Sequence, residues 1–398
     1  MASPKVKFDL EIKFGSEYGP EEEKAIIDIL HKNAPTSGDA CIQFEKEFAE
    51  YCGTKYARAT SNGTASLFLS MLALGVGPGT RVLTTPLTWI ATAAAATTLG
   101  AEVDLVDIDP VTYNMDPKSL AEKITPNTKA VAPVHLYGQC CDMDAIMALA
   151  AKHGFAVVED ACHTVGGEYK GRKAGSIGAT GCFSFHEQKN MSTLGEGGMI
   201  VTDDPDLFET ISLYRSHCTR VYGKSTKYCS IDESKFPMGK RFWGQDFDDT
   251  GYNFRMTDIQ AAVGIIQLRK LDAMNQKRID NAAYITEGLR GTPGITLPTV
   301  MPACKHIFHL YAVEIDEAAF GMNKEDFIYA MLYDRGIKCG AHYTPLHWTT
   351  AFKNLGFKKG MLPVADAVGE RIVTLPINPR QTREALDYLV ESVKALKK

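Results

Sequence analysis

Hydrophobic and polar positions in the first half of the chain alternate between two patterns. Short β-rich runs indicate strands, and the apolar or amphipathic stretches between them indicate helices. This alternation predicts an α/β fold with a mainly parallel, buried sheet. The predicted strands are Tyr56–Thr60, Arg81–Thr85, Glu102–Asp107, Ala130–Tyr137, Phe155–Asp160, Gly181–Phe185 and Met199–Thr202, and the predicted helices are Ala65–Leu74, Ala91–Leu99, Pro117–Lys123 and Met143–His153.

The pattern changes after residue 215. Residues 216–251 are rich in charge, Gly, Tyr and Trp and have no clear period, which indicates a functional or partly disordered loop. We therefore predict a large domain over residues 1–270, including an N-terminal arm, and a small α+β domain over residues 271–398. The elements predicted beyond the loop are a long helix from Asp258 through Met274 to about Gly288, strands His309–Ile315 and Gly336–Ala341, and helices Lys324–Arg335 and Arg383–Lys397.

Composition fits this picture of a globular protein. The chain has 398 residues, and domains contain about 100–200 residues each, so two domains are expected. The net charge of −5 argues against a nucleic-acid partner. The ten cysteines and the lack of an apolar leader segment favour reduced, mostly buried thiols and a cytoplasmic location. Without a Cys-x-x-Cys or His-Glu-x-x-His spacing, no metal site is predicted.

One uncharged stretch, Val82–Ala101, has the length of a membrane span. It contains six threonines, a proline and a run of alanines, so it is not apolar enough for a spanning helix. We predict a strand, a loop and a helix here, and no membrane association.

Polar residues collect after the predicted strands, where ligands of parallel sheets bind. Ser61-Asn62-Gly63-Thr64 opens a helix and can cradle a phosphate, although Asn-Gly is also a common turn and Thr a common helix cap. Trp89 follows the second strand and fits either a stacking platform or a core aromatic.

The next two strands are followed by ionisable residues. Asp160 fits either the partner of a protonated heterocyclic nitrogen or a loop brace, and His163 follows it by three residues. Lys189 comes between a β-rich run and a Gly-rich turn, which is typical of a nucleophilic or Schiff-base lysine. The phosphate-binding turn, the aromatic platform, the carboxylate and the lysine together are typical of a site for pyridoxal 5′-phosphate (PLP).

Several segments resemble one enzyme family. SNGTASLFLSMLALGVGPGTRVLTTPLTWIATAAA, VVEDACHTVGGEYKGRKAGSIGATGCFSFHEQKN, GEGGMIVTDD and GYNFRMTDIQAAVGIIQL are similar to the DegT/DnrJ/EryC1/StrS aminotransferases, and HYTPLH and LPINP are weaker echoes. The resemblance implies the fold-type I (aspartate aminotransferase-like) architecture and a PLP-dependent sugar aminotransferase. It also implies a homodimer with shared active sites.

The resemblance implies a role for each matching residue. Lys189 matches the lysine that binds PLP covalently, and Asp160 matches the partner of the pyridine nitrogen. Trp89 matches the aromatic residue on the ring face, and His163 the residue beside the ring or its phenolic oxygen. The other matches are phosphate contacts at Gly63, Thr64 and Ser184, a phosphate contact to the neighbouring subunit at Asn253, and substrate contacts at His186 and His342.

The family's reaction would move an amino group from a donor amino acid, L-glutamate by resemblance, to a keto group on a nucleotide-linked sugar. A diphosphate needs cationic contacts, and the loop carries a basic cluster that also fits a solvated surface. A keto-cyclitol acceptor and a PLP-dependent dehydratase or lyase remain alternatives, although dehydratase members have histidine in place of the lysine. A regulator and a Rossmann dehydrogenase are disfavoured, because a DNA-binding segment and an early Gly-x-Gly-x-x-Gly are missing. The cluster comprises Arg220, Lys224, Lys227, Lys235, Lys240 and Arg241.

Overall fold

The computed structural model describes residues 5–8, 15–32, 36–219 and 247–397. The helices are α1 Pro20–His31, α2 Asp39–Cys52, α3 Gly63–Ala73, α4 Ala91–Thr98, α5 Pro117–Lys123, α6 Met143–His153, α7 Pro205–Tyr214, α8 Asp258–Leu289, α9 Glu317–Phe320, α10 Lys324–Tyr333, α11 Thr350–Lys353, α12 Pro363–Arg371 and α13 Arg383–Ala395. The strands are β1 Tyr56–Thr60, β2 Arg81–Thr84, β3 Glu102–Leu105, β4 Thr128–Ala132, β5 Ala156–Asp160, β6 Glu168–Tyr169, β7 Arg172–Lys173, β8 Thr180–Ser184, β9 Gly198–Thr202, β10 Ile295–Thr296, β11 Cys304–Lys305, β12 Tyr311–Ile315 and β13 Ile372–Leu375.

A seven-stranded sheet forms the centre of the large domain. Its strand order is β1-β9-β8-β5-β4-β2-β3. Strand β9 runs antiparallel to both of its neighbours, and the pairs from β8 to β3 are parallel. The predicted α/β fold with a mainly parallel sheet is therefore confirmed.

Both faces of this sheet are buried, because successive side chains of a strand point to opposite sides. Val157 and Phe183 belong to a core cluster that includes Phe48 of α2. Their chain neighbours Val158 and Cys182 belong to a second cluster, which includes residues of α3 and α4. Helices therefore cover the sheet on both sides, which accounts for the nearly continuous apolar runs of its central strands.

The C-terminal part is a smaller α+β layer. Strands β10, β12 and β13 form an antiparallel sheet that packs on residues of α8, α10 and α13. Helix α8 runs without interruption through residue 270, so the domain boundary stays a prediction.

Two helices begin with the same local signal. Asp116 and Asp204 each cap a helix with the side chain, which accepts hydrogen bonds from two backbone N–H groups. A proline follows at the first helical position, where its missing N–H has no intrahelical partner to lose. Helix α5 was predicted from the sequence with these bounds, whereas helix α7 was not predicted.

The predicted strand Gly336–Ala341 is wrong. Only Gly340 in this segment pairs with the sheet, through an isolated bridge to Thr374. Strand β13 pairs with β12 instead and was missed, as were α1, α2 and α12. The predicted strand Ala130–Tyr137 ends at Ala132, before Pro133, which has no N–H to donate to a neighbouring strand. Beyond Pro133 the segment pairs with β5 only through an isolated bridge between Val134 and Asp160.

Two expectations concern Val82–Ala101 and the cysteines. Within the described ranges, no helix has both the length and the apolar character needed to cross a bilayer, and Val82–Ala101 contains most of β2, a loop and α4. The nine described cysteines are free thiols, and seven of them are buried.

A buried carboxylate braces the sheet beside the last residue of β5. Glu159 accepts hydrogen bonds from the N–H groups of Gly175, Ile177 and Gly178 at 2.5–2.9 Å, and it lies 2.8 Å from His135 Nε2. Burial alone would raise the pKa of Glu159, but His135 and these N–H groups outweigh it and hold the pKa below its usual range. The carboxylate is therefore ionised and fully paired in the folded protein.

We expect Glu159→Ala to lower the free energy of unfolding by about 3–5 kcal/mol, because it leaves buried donors without a partner. Urea unfolding measures the change. The surface variant Glu50→Ala is the control and should differ from wild type by less than about 0.5 kcal/mol. Because the pKa of Glu159 is lowered in the folded protein, this difference in unfolding free energy should be full just above the ordinary value of 4.5 and should decrease as the pH falls further. If the difference in unfolding free energy between wild type and Glu159→Ala stayed constant at acidic pH, this account would be contradicted.

Candidate active site

One cleft lies at the carboxyl ends of β1, β5 and β8. Its volume is about 850 Å³. The structure therefore brings together side chains that are far apart in the sequence. Nine predicted site residues line the cleft: Gly63, Thr64, Trp89, Asp160, His163, Ser184, His186, Lys189 and His342.

The start of α3 forms an anion-binding corner of this cleft. Asn62 caps the helix by accepting a hydrogen bond from the Ala65 N–H at 2.8 Å. A Cβ atom at Gly63 would lie 2.7 Å from Ser184 Cβ, so this close approach requires glycine. Unpaired N–H groups of a helix start and the hydroxyls of Thr64 and Ser184 suit a phosphate group.

Asp160 is the last residue of β5 and is 5% exposed. The Thr92 hydroxyl donates to its Oδ2 at 2.7 Å, and the Cys162 N–H donates to its Oδ1 at 3.1 Å. Both hydrogen bonds restrict the orientation of the carboxylate. Asp160 can therefore hold a proton on the nitrogen of a bound ring.

Lys189 lies in the loop after β8 and is partly exposed to the cleft. The surrounding protein removes water from its ammonium group and lowers its pKa, although Cys162, Asp160 and Glu196 partly oppose this shift. A lowered pKa increases the fraction of neutral amine, which is the nucleophilic and basic form.

His163 forms the buried wall beside the lysine. Its Nε2 lies 3.2 Å from the Tyr343 hydroxyl, and its ring centre lies 4.5 Å from that of His309. Burial, with the nearby Lys189 and His342, lowers the pKa of His163 well below 6.5, so the ring is neutral. Within the described residues, its Nδ1 is buried without a hydrogen-bond partner. A bound ligand can supply that partner.

His342 occupies the same wall from the C-terminal part of the chain. Its Nδ1 lies 2.6 Å from the Thr374 hydroxyl. Burial and the charge of Lys189 lower the pKa of His342 to about 4. His342 is therefore neutral at physiological pH and can exchange hydrogen bonds with a polar substrate.

Trp89 lies at the rim of the cleft. The residue is 64% exposed, and its ring centre is 6.4 Å from that of Tyr343. Of the two alternatives for Trp89, the core aromatic is therefore excluded, and the stacking platform stays a prediction. An exposed indole at a cleft rim offers a flat apolar face to a planar ligand.

Asn253 does not line the cleft of its own chain. It is exposed and forms an isolated bridge with Ser216, while its neighbours Tyr252 and Phe254 line the cleft. Its predicted contact with a neighbouring subunit stays a prediction. The basic cluster between Arg220 and Arg241 lies outside the described residues.

Two residues that complete the cleft were not predicted. Thr92 holds Asp160, and Tyr343 contacts His163. Tyr343 adjoins His342 in the HYTPLH segment, so its position was a usable signal. Thr92 gives no such signal, because only the tertiary position of α4 brings its hydroxyl to the carboxylate at the end of β5.

The residues of the cleft fit PLP. A phosphate matches the helix start at Gly63, a pyridine nitrogen matches the Asp160 carboxylate, and an aldehyde matches the Lys189 amine. The unpartnered Nδ1 of His163 is an additional polar group that a ligand in this cleft can satisfy. Each end of the cofactor thus finds a group of complementary charge or reactivity.

Comparisons with known proteins agree with this fit. Residues 17–394 match the model of the DegT/DnrJ/EryC1/StrS aminotransferase family. The spore coat polysaccharide biosynthesis protein SpsC of Bacillus subtilis is 38% identical over 96% of this chain and 95% of its own. GDP-perosamine synthase of Caulobacter vibrioides is 37% identical over 89% of this chain and 90% of its own.

A solved structure gives the same result for the fold. DesV of S. venezuelae, in complex with a ketimine intermediate, is 32% identical and superposes with a TM-score of 0.85 over 100% of this chain and 99% of its own. The predicted fold class, enzyme class and use of PLP are thereby confirmed. The chain belongs to the DegT/DnrJ/EryC1/StrS aminotransferase family, whose members are PLP-dependent sugar aminotransferases.

Proposed function

We propose that this protein transfers an amino group from L-glutamate to a keto group on a nucleotide-linked sugar, with PLP bound covalently to Lys189. The observation that carries the proposal is the meeting of Lys189 and Asp160 in one cleft beside the phosphate-binding helix start. A relative named GDP-perosamine synthase supports a nucleotide-linked acceptor.

Bound PLP supplies an electron sink for the bonding electrons at the donor's α-carbon. Asp160 maintains that sink by holding a proton on the ring nitrogen, and Thr92 keeps the carboxylate in place. Lys189 Nζ takes the proton from the donor's α-carbon and later delivers a proton to the acceptor carbon that receives the amino group. A lysine with a lowered pKa suits both steps, since it acts as base and then as acid.

The neutral histidines serve binding. His163 keeps its Nδ1 available to a polar atom of the bound ring, and its Nε2 is occupied by Tyr343. His342 presents a neutral imidazole to the substrate. Since neither ring carries a charge near pH 7, neither competes with the protonated ring nitrogen for the Asp160 carboxylate.

We expect Lys189→Ala to abolish the visible absorption of the bound cofactor and to reduce turnover at least about 1,000-fold. Absorption spectra and steady-state rates measure both effects. The surface variant Lys46→Ala is the control and should match wild type in both. A Lys189→Ala enzyme that kept its transaminase activity would overturn the proposed role of Lys189.

Glutamate added to the wild-type enzyme without acceptor tests the donor and separates the rival reactions. We expect the cofactor spectrum to change and one equivalent of 2-oxoglutarate to appear per active site, because ping-pong transfer releases the first product early. A dehydratase or lyase would leave glutamate unchanged. The lack of 2-oxoglutarate from every amino acid tested would contradict an aminotransferase.

The acceptor class is tested after the donor half-reaction. Among the described residues that line the cleft, Lys189 is the only lysine or arginine, so we assign the diphosphate contacts to the basic cluster between Arg220 and Arg241. Two charge-assisted hydrogen bonds are worth about 3 kcal/mol or more together. We therefore expect kcat/KM for a keto-sugar nucleotide to exceed that for the free keto sugar by about 100-fold or more. Equal values, or faster turnover of a keto-cyclitol, would count against the nucleotide-linked acceptor.

Shared active sites predict complementation between two defective subunits. Subunits with Lys189→Ala and subunits with Asn253→Ala are co-expressed with different tags, and heterodimers are purified on both tags. Each heterodimer then has one intact site, so about half of the wild-type activity at limiting PLP is expected. Heterodimers no more active than the mean of the two parent homodimers would refute the role of Asn253 across the interface.

A further inference from the structure

Asn190 directly follows Lys189 and is 2% exposed. Its amide group has three partners. The Nδ2 group donates to Asn275 Oδ1 at 2.8 Å and to the Ile307 carbonyl at 3.3 Å, and Oδ1 lies 3.2 Å from His309 Nδ1. The residue after the lysine is therefore held by two separate parts of the chain, helix α8 and the segment 307–309.

The directions of these hydrogen bonds are determined by backbone carbonyls, which only accept. Asn275 Nδ2 donates to the Val165 carbonyl at 3.0 Å, so Asn275 Oδ1 faces Asn190 as the acceptor. Asn190 must then present its NH₂ group to Asn275 and Ile307, and its Oδ1 to His309. It follows that His309 carries its proton on Nδ1.

The hydrogen-bonded side chains of Asn275 and Asn190 connect the loop that carries His163 to the loop that carries Lys189. Val165 is two residues after His163, and Asn190 is one residue after Lys189, so Asn275 of α8 connects the two loops. A Cβ atom at Gly166 would lie 2.7 Å from Asn275 Nδ2, so the loop packs directly on this amide.

His309 completes the connection from the other side. Its ring centre is 4.5 Å from that of His163, with an angle of 36° between the ring planes. Burial lowers the pKa of His309 well below 6.5, and the groups that act on it, namely His163, Lys189, Arg278 and His342, are all basic. The ring is therefore neutral and remains the donor to Asn190.

We propose that Asn190 is a positioning residue, whose side-chain amide holds the backbone of Lys189 in register with His163 through Asn275 and His309. The inference rests on the proposed covalent role of Lys189. A lysine that leaves the cofactor and returns in every catalytic cycle needs a fixed backbone, since a misplacement of about 1 Å can slow a reaction about 100-fold.

Other contacts hold the opposite side of the same loop. The Gly15 N–H donates to the Glu187 carbonyl at 3.0 Å, and Gly15 packs so closely on the Lys189 carbonyl that a Cβ atom would overlap it. Arg278 in turn donates to the Gly15 carbonyl at 3.0 Å. These contacts do not involve Asn190, so the loop keeps a second support when the amide is removed.

The direct test is the rate at which the apoenzyme forms its covalent bond with PLP. Apo Asn190→Ala is mixed with PLP, and the visible absorption is followed by stopped flow. We expect the concentration-dependent binding phase to stay within about 2-fold of wild type and the concentration-independent bonding phase to slow about 10-fold or more. In steady state, kcat should fall about 10- to 100-fold with KM changed less than about 3-fold.

Asn281→Ala is the matched control. Asn281 lies on α8, the helix that also carries Asn275, and its Nδ2 donates to the Asn378 carbonyl at 3.0 Å, away from the cleft. We expect this variant to lose a part-buried side-chain hydrogen bond to a backbone carbonyl but to keep the wild-type rate of covalent bond formation and the wild-type kcat. A purely structural role of Asn190 would instead leave its folded variant with wild-type rates. If Asn190→Ala is insoluble, Asn190→Ser is used, with the same expected result.

A double variant tests the connection itself. Asn275→Ala should slow the formation of the covalent bond with PLP as Asn190→Ala does. The double variant should be no more than about 3-fold slower than either single variant, because both substitutions break the same row of hydrogen bonds. If the rate reductions of the two single variants multiplied in the double variant, the connection through Asn275 would be contradicted. Since Lys189→Ala tests the lysine alone, a wild-type bonding rate in Asn190→Ala would overturn the positioning role and leave the role of Lys189 intact.

Discussion

Six of the seven strands in the central sheet point in the same direction, so their carboxyl ends meet at one edge. The whole cleft depends on this constraint. Helix α3 starts after β1, Asp160 ends β5, and Lys189 follows β8, so groups for a phosphate, a ring nitrogen and an aldehyde face one volume. Strand β9 is the antiparallel member, and by pairing with both β1 and β8 it brings the phosphate corner next to the lysine loop.

The ionisable groups at this edge of the sheet have different surroundings, and these surroundings give them different roles. Glu159 points into hydrogen bonds with His135 and backbone N–H groups, and it stabilises the fold. The adjacent Asp160 lines the cleft, where the Thr92 hydroxyl donates a hydrogen bond to it and restricts its orientation. Burial keeps His163 and His342 neutral, and desolvation lowers the pKa of Lys189, which makes the proton of its ammonium group easier to remove. Two neighbouring carboxylates on one strand thus serve stability and chemistry separately, because strand side chains alternate between faces.

The elements with strong periods were predicted from the sequence, and the errors have specific causes. Strand β4 stops early, before Pro133, which cannot donate to the sheet. Gly336–Ala341 has a strand-like composition but lies at an edge where only Gly340 finds a partner. In the site, residues at strand ends were found because topology places them, whereas Thr92 and Tyr343 were missed because they arrive from other elements.

The sequence by itself determined the fold class and the family, and it named the residues proposed to bind PLP, since periodicity and motifs can be read along the chain. The tertiary structure alone decided how these residues are oriented and charged. The hydrogen-bond directions through Asn275 and Asn190 to His309 depend on the carbonyls of Val165 and Ile307, which are far apart in the sequence. The lowered pKa of Lys189 depends on desolvation by walls that only the folded chain assembles.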